Sequence, residues 1–150
     1  VETHQNLTKW YTATLTLTII LPIIYIIYLV LLVQASGKGF QAFFNEEPIF
    51  TILLMISLIN PFWGHLLNSM PKEQRTKKGK AGKLLNFMLA SQIVVGNILM
   101  AIVVFITKRK LRRADAADSL TTFVKTAAIF LLIFTVFCGI ILLRLTIVSL

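Results

Sequence analysis

Acidic residues are scarce in this chain. None of the six falls in the four long apolar runs, residues 11–33, 48–67, 84–107 and 126–150. A carboxylate inside the membrane is the common device for proton-coupled transport, so that class loses its main instrument. The chain has one cysteine, Cys138, which excludes an intrachain disulfide. Cys138 reads as a small apolar packing residue. The two histidines, His4 and His65, stand far apart, and the acids are confined to loops and the N-terminal segment. No metal-ligand spacing, nucleophile elbow or phosphate loop appears. The sequence points away from an enzyme, and no cofactor or metal is expected.

What fills the chain is apolar: 57% of its 150 residues are hydrophobic. A hydrocarbon core of about 30 Å needs roughly 20 helical residues at ~1.5 Å each, and each run is long enough. The predicted fold is an all-α integral membrane protein, one domain over 1–150. It is a bundle of four transmembrane helices at about 11–33, 48–69, 84–107 and 124–149, joined by short basic loops. "TATLTLT" at 12–18 alternates like a strand, but the run continues without alternation. An isolated strand in lipid would leave its amides unpaired, so the helix is preferred. The first run is longer than a signal-peptide core and only Lys9 precedes it, so it reads as a helix of the mature chain.

The net charge is +9. It gathers in "PKEQRTKKGKAGK" (71–83), holding Lys72, Arg75, Lys77, Lys78, Lys80 and Lys83, and in "KRKLRR" (108–113), holding Lys108, Arg109, Lys110, Arg112 and Arg113. These flanks suit anionic lipid headgroups or a partner protein, and nucleic acid is not expected. If run three crosses the bilayer, the two segments face opposite sides. Lys9 joins the first, Lys38 and Lys125 join the second, and the count is seven against seven, with Arg144 left near the C-terminal end. The positive-inside rule is then silent. Arg144 and the acidic pair Glu46 and Glu47 incline the reading to a multi-pass protein with both termini cytoplasmic. A partner protein is expected to fix that orientation. Past residue 107, "KRKLRRADAAD" has no glycine or proline, so a helix projecting into water is expected, with Asp118 or Ser119 capping helix four.

Polar residues within the runs form stripes. Thr14, Thr18 and Pro22 share a face of helix one, and Pro22 predicts a kink. Ser57, Asn60, Gly64 and Asn68 share a face of helix two, where Pro61 removes one backbone bond. Trp63 and His65 read as interfacial. Helix three carries Asn86, Ser91, Gln92, Gly96 and Asn97; Asn86, Ala90, Asn97 and Ala101 share a face, and this stripe is expected to face that of helix two. Small residues permit close approach and amides bond across it, so these residues read as packing glue or the wall of a narrow polar path. In helix four, Thr135, Cys138, Gly139, Leu142 and Thr146 share a face. Phe40, Phe43 and Phe44 mark a short amphipathic turn at the interface.

Four helices with balanced charge resemble the plan of small multidrug transporters, but the glutamate in the first helix of that family has no counterpart. "SLTTF" at 119–123 is similar to part of the fluoride-channel signature, without its surrounding glycines. Neither resemblance carries a function. The expected role is non-catalytic: an accessory, regulatory, assembly or immunity subunit bound to a larger membrane complex, or else a channel or transporter working as a homo-oligomer.

Overall fold

The computed structural model describes residues 2–113 and 117–150. It is helical, with no strand among the described residues. Helices α1 (Glu2–Ser36), α3 (Pro48–Asn68) and α6 (Thr122–Ser149) are long and apolar enough to cross a membrane. Both α1 and α3 continue through their prolines, Pro22 and Pro61. α1 begins nine residues earlier than the apolar pattern suggests, because its polar first turns pack on the bundle through Leu7 and Tyr11. Between α1 and α3 lies the short α2 (Phe40–Glu46), whose buried Phe43 stacks on Phe44 and Phe50. Lys38 and Glu46 form an exposed ion pair there.

The third apolar run is not one helix. It forms α4 (Lys80–Val94) and α5 (Ile98–Lys110), separated by Val95–Gly96–Asn97. At 15 and 13 residues, they reach about 22 and 20 Å, short of a ~30 Å hydrocarbon core. The break has a local cause. Gly96 takes φ 70°, and its N–H donates to the Ile93 carbonyl (3.1 Å) while the Asn97 N–H donates to the Gln92 carbonyl (2.9 Å). Those two bonds around a left-handed glycine are the Schellman stop of a helix. Asn97 then begins the next helix: its Oδ1 accepts from the Met100 N–H at 3.3 Å, an N-cap bond. Stop and start stand in adjacent residues, so the chain reverses.

α5 therefore runs back along α4, and the basic segments that flank the run meet at one end of the bundle. The Lys77 N–H donates to the Arg112 carbonyl at 3.0 Å, within an isolated parallel bridge of Thr76 with Arg112. The Asp118 N–H donates to the Lys78 carbonyl (3.4 Å), and Lys80 pairs with the Asp118 carboxylate at 3.8 Å. A single helix over 84–107, with basic loops at its two ends, is thus replaced by a folded-back hairpin. The helix expected to project past residue 107 stops at Lys110, and Leu111 turns extended to bury itself in the core. Continuing it would stack Lys108 on Arg112 and Arg109 on Arg113 at i,i+4, a repulsive spacing. The remainder of that expected helix, 114–116, lies outside the described residues. Thr121, not Asp118 or Ser119, caps α6, its hydroxyl accepting from the Val124 N–H at 3.4 Å.

α1, α3 and α6 stand in a row, α5 packs on α1, α4 packs on α6, and the two hairpin arms pack on each other. The ring of five closes at the basic end. There lies the main core: Tyr11, Trp63, Leu67, Leu84, Leu85, Met88, Met100 and Val104. Trp63 is fully buried in it, which corrects its reading as an interfacial residue. Its indole fills the space where α3 meets the hairpin, a volume no sequence stripe specifies.

Candidate functional site: the hairpin tip

Three interhelical contacts hold the hairpin, and all are between neutral polar groups. Thr14 of α1 and Thr107 of α5 share a hydrogen bond of 2.7 Å, with the Thr107 hydroxyl also 3.1 Å from the Trp10 carbonyl. Ser91 of α4 donates to Thr135 of α6 at 3.1 Å. Gln92 Nε2 of α4 donates to Asn60 Oδ1 of α3 at 2.9 Å. All six residues are buried. In lipid such bonds are each worth about 1 kcal/mol or less, but an unpaired partner would cost more.

Beyond the last of these bonds the chain turns, and a cavity of about 300 Å³ opens at the tip. Its walls are Leu21 and Tyr25 of α1, Leu53, Ile56, Ser57 and Asn60 of α3, and Val95, Gly96, Asn97 and Leu99 of the turn. The Tyr25 hydroxyl donates to the Phe50 carbonyl at 3.3 Å. Gln92, which lines a separate groove with Gly96 and Ala101, keeps its Oε1 as a buried acceptor with no partner among the described residues. Trp63 Nε1 is a buried donor in the same condition. On the other side of the tip, Val94 touches Gly139 of α6. The cavity offers amides, hydroxyls and turn backbone among apolar walls. It suits a neutral hydrogen-bonding solute better than an ion needing a counter-charge. No group of three or more His, Cys, Asp or Glu able to hold a metal occurs among the described residues.

The residues singled out from the sequence divide. Asn60 and Gln92 are bonded to each other, and Ser57, Gly96 and Asn97 join Asn60 at the tip cavity. Gly64 faces α1 instead: a Cβ there would collide with the Thr18 side chain. Pro61 is half-buried beside Asn60. Asn68 and Asn86 are exposed and belong to no seam. Among the described residues the one amide bond between the two runs, Gln92 to Asn60, comes from a residue off the expected stripe of helix three. Among the cations, Lys72, Lys78, Arg109, Lys110, Arg112 and Arg113 are exposed, while Arg75, Lys77, Lys80, Lys83 and Lys108 are half-buried at the same end. Arg144 is exposed near the opposite end of α6. Arg75 lies over the Tyr11 ring at 4.1 Å, and the Tyr11 hydroxyl donates to the Leu67 carbonyl at 2.5 Å. The sequence reading missed Thr107 and Tyr11. A polar group at the end of an apolar run signals only an interface until a partner helix is known. It also missed the significance of Gly96–Asn97, a stop residue followed at once by a cap residue.

Comparison with protein-family models, with curated proteins and with solved structures finds no match to this chain. Function has to be argued from the geometry.

Proposed function

We propose that the chain is a non-catalytic multi-pass membrane protein with three spans and one re-entrant hairpin, acting as an accessory or regulatory subunit through its basic end. The observation that carries this reading is the meeting of the two basic segments across Thr76 and Arg112. All the lysines and arginines except Lys38 and Arg144 then lie at one end of the bundle, out of 15 in the chain. The positive-inside rule, silent for a straight third span, now speaks clearly: the basic end is cytoplasmic. α1 begins on that side and α6 ends on the other. This reading puts the termini on opposite sides, unlike the expectation of both inside, and needs no partner to fix the orientation.

The binding role follows from what the cations leave unpaired. Within the described residues, Lys80 is the one cation of the basic end in a salt bridge with a carboxylate. Lys72, Lys78, Arg109, Lys110, Arg112 and Arg113 are exposed there for anionic lipid or an acidic partner surface. The test is the mass of the complex in mild detergent. A hetero-complex is expected, and neutralising Lys77, Lys78, Arg112 and Arg113 to Gln should release the second component while leaving the chain folded. A homo-oligomer indifferent to those changes overturns the subunit reading.

One observation favours a second reading. Irregular backbone within the hydrocarbon depth is tolerated where it is buried in protein or lines an aqueous cavity. The tip cavity, with Ser57, Asn60 and Asn97 in its wall, fits a channel or transporter for a neutral solute. Solute-selective flux in proteoliposomes, abolished by Asn97→Leu, would favour it.

A further inference from the structure

A second cavity, of about 620 Å³, lies between α4 and α6 at the basic end. Its polar wall is Lys83, Asn86, Ser119, Thr122, Lys125 and Thr126, and its apolar floor includes Phe87 and Ile129. From these residues we infer that it is a binding site for one acidic glycerophospholipid, with the phosphate between the two lysines and the glycerol and first methylenes on the floor.

Position, charge and free donors all support this. Lys83 and Lys125 each stand three residues into their helices, about 4.5 Å from the start, and the floor residues sit one turn deeper, at about 10 Å. That spacing matches headgroup above and acyl chain below. No carboxylate lines the cavity. Among the described residues Asp118, next to Ser119 of the wall, turns its carboxylate to Lys80 and its carbonyl to Lys83 Nζ (2.6 Å). An ammonium has three donors, so Lys83 keeps two for a ligand while its position is fixed. Among the described residues the Lys125 side chain makes no hydrogen bond or ion pair, and it is exposed, as is Asn86. A zwitterionic lipid would bring its own cation against two lysines. Phosphatidylglycerol brings none, which is the basis for discrimination.

The site rests on the reading of the basic end as a membrane surface, but it is tested independently of orientation. The delipidated protein in detergent is titrated with phosphatidylglycerol, phosphatidylcholine or soluble glycerol phosphate, and binding is read by native mass spectrometry. One phosphatidylglycerol per chain is expected, held about tenfold more tightly than phosphatidylcholine. Lys125→Gln, which removes no internal bond, should weaken it about fivefold, and Lys83→Gln/Lys125→Gln further. Lys72→Gln/Lys110→Gln removes equal charge at the same end and should change it by less than about twofold. Equal binding of the two lipids, or equal weakening by the control pair, overturns the site. Glycerol phosphate competing at lipid concentrations overturns the lipid and leaves a soluble phosphate compound as ligand. If thiol labelling puts the basic end outside while these lipid results hold, the orientation fails and the site stands.

Discussion

Asn60 and Gln92 meet where a lost partner finds no water to replace it. Asn60→Leu leaves the Gln92 amide donors buried and unbonded, beside an Oε1 that already lacks a partner. The expected loss is about 1–3 kcal/mol, read as a lower unfolding midpoint in detergent. Gln92→Leu combined with it should recover part of that loss, because neither polar group is then stranded. Additive losses from the two changes would mean that the bond is not formed. Gly64 poses a steric question at the same scale. A methyl group there enters the Thr18 side chain of α1, and both Oγ1 and Cβ of Thr18 lie inside normal contact. Gly64→Ala should cost about 1–3 kcal/mol through separation of α1 from α3. Gly139→Ala meets mainly the movable Val94 side chain at 3.0 Å and should cost less. Side-by-side thermal melts of the two variants check the order.

At the scale of the element, the hairpin depends on four consecutive residues, Val94–Asn97. The left-handed region costs an L-residue roughly 1–2 kcal/mol, with Asn tolerated best. Gly96 has no neighbour within 4 Å of a built Cβ, so the backbone angle alone is at stake. Gly96→Val should destabilise by about that amount and Gly96→Asn by less. Gly96→Ala/Asn97→Ala removes both the stop and the cap from an otherwise helix-forming run of 80–110. It should favour a continuous helix, long enough to cross. A cysteine at Arg113 would then change its side of the membrane, whereas in the parent chain it shares a side with Lys78. The apolar period of the run could not distinguish these outcomes. Periodicity reports which residues avoid water, and both a span and a folded-back pair avoid it.

For the whole molecule the consequence is topological. Cysteines placed singly at Gln41, Lys78 and Arg113, in a Cys138→Ala background, all occupy exposed positions. The buried Cys138 itself packs α6 and is replaced without adding bulk. In intact cells an impermeant thiol reagent should label position 41 and spare 78 and 113. Lysis should expose both of the latter. Labelling of 113 but not 78 from outside would mean that the run crosses the bilayer as a single helix. Labelling of all three would indicate two orientations of insertion.

Composition and run length alone determined that the chain is helical and built for a membrane. Some 20 apolar residues without an acid have no stable place in water, and lipid admits only helices or closed barrels. Sequence stripes also marked Thr14, Thr18 and Asn60 as residues turned towards protein, since small or neutral polar groups gain little from lipid. Partners were beyond its reach. Whether Asn60 bonds Gln92 or Asn97 depends on a rotation of α4, which is set by the packing of Trp63, Met88 and Met100. The course of run three was likewise decided in three dimensions. Run three is long enough to span, and it folds back because Gly96 and Asn97 stop and restart the helix. The Lys77–Arg112 bond and the burial of Leu111 then hold the returning end against the bundle.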